Sequence, residues 1–147
     1  MITLLDLRKA CNSILKANYP NILVKSQDIE KGFARPSFTT MFDNVEPFTL
    51  ESSIEVKLDV TIYYFPDLNM DNYFLHLDEV KFNLPIIFGN KLKVLDRYLN
   101  INDPIARIVD GIIVFEFSML YEDEKPLSAT EIEAQLMQEL DFKFKRK

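Results

Sequence analysis

From Ser53 to Phe65 apolar and polar residues alternate: Ile54, Val56, Leu58, Val60, Ile62 and Tyr64 against Ser53, Glu55, Lys57, Asp59 and Thr61. A period of two places each set on one face of an extended chain and fits no amphipathic helix. The stretch predicts one long strand, about 40 Å at ~3.3 Å per residue and roughly twice the usual length. A strand of that length projects past the edge of a small domain, which suggests assembly. Its second face carries both signs of charge and suits water or a polar subunit contact rather than a core.

The rest of the chain has to supply the partners of this strand. With 147 residues, 48% hydrophobic and 27% charged, it has material for one domain with a real core. A net charge of −6 and a pI near 4.8 argue against duplex binding, because that affinity comes mostly from Lys and Arg neutralising phosphates. DNA passing an acidic wall would slide. Cys11 is the single cysteine and the N-terminus carries no charged-then-apolar leader, so the expectation is a soluble protein folding in a reducing cytoplasm, away from membranes. Three glycines leave no phosphate-binding loop, and one histidine with one cysteine supplies neither a nucleophile–base pair nor a metal cluster. The expectation is a non-enzymatic chain without cofactor or metal.

Thr3 can cap a first helix with Asp6 three residues on, and Leu4, Leu7, Cys11, Ile14 and Leu15 form its apolar stripe up to Pro20. Cys11 on that stripe reads as a buried structural thiol. Ile22–Ser26 is a short strand. Pro36 opens a second strand over Ser37–Asp43, and Asp43–Pro47 reads as a turn into the long strand, so the two should pair antiparallel. After Pro66, one of Asp67, Asn69 or Asp71 caps a second helix through Met70, Tyr73, Phe74, Leu77, Val80, Phe82 and Leu84, ending before Pro85. His76 within it reads as a solvated or packed side chain.

Leu92–Leu95 and Tyr98–Ile101 follow as short strands or one bent strand, with Asp96-Arg97 between them, and Asn102-Asp103-Pro104 as a turn. Ile108–Tyr121 reads as a second long strand, with a bulge at Gly111, that pairs with the first at the centre of the sheet. Ser128 and Glu131 offer a capping box for a last helix whose narrow stripe is Ile132, Leu136 and Leu140, supplemented by Met137. That stripe can dock on the protein's own sheet or on a neighbouring subunit. Lys143, Lys145, Arg146 and Lys147, interleaved with Phe142 and Phe144, form a basic tail: a frayed, solvated end, or a contact for phosphates, an anionic surface or a partner's acidic patch.

Several words along this order carry a resemblance: Thr3-Leu4-Leu5-Asp6-Leu7-Arg8-Lys9-Ala10, Gly32-Phe33-Ala34-Arg35-Pro36-Ser37-Phe38, Ile62-Tyr63-Tyr64-Phe65-Pro66, Asp96-Arg97-Tyr98-Leu99, and Val109-Asp110-Gly111 leading to Phe115-Glu116-Phe117. Over about residues 1–121 the chain resembles the tail terminator proteins of long-tailed bacteriophages and phage-like elements of Gram-positive hosts. The resemblance implies an α+β domain over 1–121: an antiparallel sheet of four to five strands with two long central ones, flanked by helices. Residues 122–147 are then a C-terminal helical extension with a basic tail.

The resemblance also implies a homo-hexameric ring in the virion tail at the neck, assembled in the host cytoplasm. Such a ring caps the last tail-tube subunits, stops polymerisation and presents a joining surface to the head connector, with DNA passing through its lumen. No catalytic residues are implied. The extension leaves open a contact with a sheath protein, a neighbouring subunit or the connector. Glu55, Lys57 and Asp59, on the polar face of the long strand, are the candidate residues for the lumen or subunit interface. Ile132, Leu136, Leu140, Lys143, Lys145, Arg146 and Lys147 are the candidates for partner docking. Two other readings compete: a head-completion or tail-completion adaptor of the neck, and a monomeric or dimeric cytoplasmic binding module.

Overall fold

The computed structural model describes residues 1–24 and 34–124. Helix α1, Leu4–Asn18, begins where the sequence places it: the Asp6 amide donates to Thr3 Oγ1 at 3.2 Å and the Thr3 amide to Asp6 Oδ2 at 2.9 Å, a reciprocal capping box. Leu7, Cys11 and Leu15, four residues apart, are its fully buried face.

Strand β1, Leu23–Val24, shares its sheet with three strands of 13 residues each and one shorter one: β2 (Ser37–Thr49), β3 (Ser53–Phe65), β7 (Ile112–Glu124), and β6 (Asn102–Val109) on the edge. The sheet order is β1-β2-β3-β7-β6, antiparallel throughout except for the parallel β1–β2 pair. The fold is α+β with a mixed five-stranded sheet, and β3 lies at its centre against β7, as the two long apolar runs predict. Helix α2 spans Tyr73–Phe88, and a separate hairpin joins β4 (Lys91–Val94) to β5 (Arg97–Asn100).

Both helices and the β4–β5 hairpin cover one face of this sheet. Leu58, Val60, Ile62 and Tyr64 of β3 point into the core with Ile113, Phe115, Phe117 and Met119 of β7, where Leu77, Val80, Leu84 and Phe88 of α2 meet them. The Phe88 ring sits 5.5 Å from Phe115 and 5.7 Å from Phe117. Each such side chain removed from water contributes about 2–3 kcal/mol before entropy is counted.

Four local expectations are corrected. Asp43–Pro47 is a β-bulge inside β2 rather than a turn: the register slips between Asp43 and Glu46, Asn44 takes the left-handed conformation (φ 51), and the strand runs on to Thr49. Residues 108–121 form two strands and not one. Asp110 and Gly111 both have positive φ (51 and 77) and make the two-residue turn of a β6–β7 hairpin, whose twist matches that of its strands. Asn102-Asp103-Pro104 belongs to β6, where the edge position tolerates a proline that cannot donate. Helix α2 starts later than expected, after Asn72 and without a side-chain cap, and continues through Pro85 to Phe88. Proline removes one helical hydrogen bond there, and the burial of Leu84 and Phe88 on either side outweighs that loss. The predicted helix after Ser128 lies outside the described residues.

Candidate assembly surfaces

Side chains directly opposite in an antiparallel pair share a face, so the registers define what the side of the sheet away from α1 and α2 displays. Glu55 stands between Phe48 and Glu122, Lys57 between Glu46 and Leu120, and Asp59 between Asp43 and Ser118. Glu55, Lys57 and Asp59 are therefore together on the face away from α1 and α2, in one row along β3, while Thr39, Thr61, Phe65 and Val114 toward the other end of that face are buried. Glu55 and Lys57 are exposed. Asp59 is half-buried and engaged within the sheet. It accepts from Asn44 Nδ2 and Ser118 Oγ, both at 2.8 Å, and these two bonds hold its carboxyl below the usual range. The first of these pins the bulge of β2 to β3, so Asp59 has a structural role besides any contact it makes. Carboxylates at 43, 46, 55, 59, 116 and 122 outnumber Lys57 and Arg107 on this face, and Arg107 is paired with Glu116 at 3.0 Å. The surface is acidic, with Phe48 and Leu120 exposed among the charges.

A second surface lies on the outside of α2. Phe74, Phe82 and Ile86 are 73%, 72% and 60% exposed, and with Asp78 they recur every four residues along one side, with Leu75 beside them. Asp78, Glu79 and Asn83 share this exposed side, so apolar and polar side chains are mixed there. The apolar positions through 70–84 are more numerous than one helical face can hold, and the excess falls on the outer side of α2.

The third surface is a groove of about 480 Å³ where the β2–β3 hairpin reaches past the helices. Met1, Leu4, Leu5, Val45, Pro47 and Val56 supply its apolar lining, and Tyr121 and Asp123 close one side. Leu4, expected on the buried stripe of α1, lies exposed here instead, because the first turn overhangs the sheet. Asp123 is the one carboxylate in the lining. Burial raises its pKa, but the Ile2 and Glu124 amides, the N-terminal amine and Arg97 outweigh that and leave it lowered. Arg97 approaches Asp123 at 3.7 Å and donates to the Glu122 carbonyl at 2.7 Å, so the start of α1, the end of β7 and the β4–β5 hairpin are tied at one point.

The two residues with chemical potential are occupied structurally. Cys11 has no exposure, and burial pushes its thiol up to about 12. His76 Nε2 and the Tyr64 hydroxyl share a hydrogen bond of 2.6 Å, and burial raises the phenol to about 12. Among the described residues no group of three His, Cys, Asp or Glu side chains is placed to hold a metal, and no helix is long and apolar enough to cross a membrane. Ile132, Leu136, Leu140, Lys143, Lys145, Arg146 and Lys147 lie outside the described residues.

The model of the phage tail terminator protein family matches residues 6–131. The chain belongs to the phage tail terminator family. The match begins in the first turn of α1, spans the sheet and α2, and runs beyond β7, so the family's common core includes all of the acidic face and all of α2. Membership makes this a structural component of a bacteriophage tail. No curated protein matches the sequence.

Proposed function

We propose that the chain closes with copies of itself into a hexameric ring at the neck of the virion. The ring caps the last tail-tube subunits, stops tube polymerisation and offers the head connector its joining surface. Family membership carries this reading. A subunit of such a ring meets its neighbours, the tube and the connector, and the exposed side of α2 and the acidic face are surfaces that such contacts can use.

Contacts between unlike patches generate a ring when the rotation closes, and a ring with different top and bottom faces ends a polymer without copying it. In this reading the outer side of α2 is buried between subunits, and the acidic face with Glu55, Lys57 and Asp59 turns to the lumen or to a neighbour. A carboxylate-rich wall would let DNA pass without binding it. The role is structural rather than catalytic, the ring assembles in the host cytoplasm, and a sheath protein is a further candidate partner for the C-terminal extension. Tails assembled in the absence of this chain test the reading: electron micrographs should show overlong, uncapped tubes, and tubes of normal length that join heads would contradict it.

A further inference from the structure

The groove beside the N-terminus needs an occupant, and the chain itself supplies one. We propose that the stripe Ile132, Leu136 and Leu140 of the same copy docks in the groove lined by Met1, Leu4, Leu5, Val45, Pro47 and Val56. The described chain leaves the sheet at Glu124, paired with Ser53, one residue after Asp123 and three after Tyr121 on the groove's own wall. The connection over 125–131 spans up to about 25 Å when extended, enough for Ile132 to enter the groove it departs from. A segment tethered so closely has an effective concentration in the millimolar range, well above that of another copy in dilute solution.

The chemistry of the two parts also agrees. The lining is apolar, and its single carboxylate already accepts from the Ile2 amide and faces Arg97, so the groove takes an apolar strip and gives a charged one no partner. Residues 132, 136 and 140 recur at four-residue steps, which on a helix sets them in one row about 12 Å long. Beyond that row follow the basic residues Lys143, Lys145, Arg146 and Lys147. This inference concerns the single subunit and stands independently of the ring.

Cross-linking separates the outcomes. Leu5→Cys with Leu136→Cys in the full chain, treated with a short bis-maleimide, should give a link within one chain whose yield does not change with protein concentration. Leu5 is 58% exposed, so the fold tolerates its replacement, and the buried Cys11 stays unreactive. Adding Leu140→Asp should abolish the link. Linked dimers whose yield rises with concentration would overturn the proposal in favour of exchange between copies. A link that survives Leu140→Asp, or none at all, would overturn docking of the stripe.

Discussion

Helices α1 and α2 pack on the same face of the same sheet and treat their outer sides in opposite ways. Beyond its first turn α1 turns Lys9, Ser13 and Lys16 outward and is finished once Leu7, Cys11 and Leu15 are buried. Helix α2 buries Leu77, Val80, Leu84 and Phe88 and still presents Phe74, Phe82 and Ile86 to solvent. One helix leaves a polar outer side, and the other leaves apolar area exposed among the described residues. Three side chains of this size gathered on one helical side mark a binding surface, whereas single exposed apolar residues do not.

The sharpest way to break this contrast is to charge the outside of α2. Phe82→Glu with Ile86→Glu should leave the isolated subunit folded, by circular dichroism, and abolish assembly on tail tubes. Central aromatic anchors of an interface are typically worth 2 kcal/mol or more each, about thirtyfold in affinity. Lys9→Glu with Ser13→Glu on α1 should leave assembly unchanged. Next in size is the inner side: Leu84→Ala should lower stability in urea by about 2–5 kcal/mol, while Leu75→Ala, outward on the same helix, should change it by less than about 0.5 kcal/mol in the free subunit. A smaller effect distinguishes the helix starts. Thr3→Ala removes the cap of α1 and should cost about 1 kcal/mol, whereas Asn72→Asp at the start of α2, where no side chain caps the backbone, should change little.

The smallest effect is one of pH. Asp59 and Asp123 are held below the ordinary carboxylate range in the folded chain, so their contribution is fully present above about pH 4, the unfolded value, and is lost as pH falls through their folded values. Asp59→Asn and Asp123→Asn should each reduce stability at neutral pH and flatten its loss below pH ~4, read by urea unfolding across that range.

Where local pattern and tertiary need agree, the sequence was legible. The alternation through 53–65 predicts β3 residue for residue, because one face of it is buried, and Thr3 with Asp6 predicts the start of α1 because a capping box is complete within four residues. It was less legible where one local signal serves two structures. Asn44 tolerates positive φ, which suits a turn or a bulge, and only the cross-strand bond to Asp59 selects the bulge. Asp110-Gly111 has apolar residues on both sides, so the pattern continues through a hairpin as it would through a bulge. Pro85 argues for a helix end, and the burial of Phe88 overrides it. Of the candidate site, the polar row Glu55, Lys57 and Asp59 was readable as a face, while the groove was not, since Met1, Val45 and Val56 meet only after three segments converge.

Native mass spectrometry of the full chain released from assembled tails, beside the Phe82→Glu, Ile86→Glu variant, tests the central claim most directly. A hexamer for the wild type and only single subunits for the variant is the predicted result. A wild-type chain that leaves the tail as a monomer, or a variant that still forms the hexamer, would contradict the account.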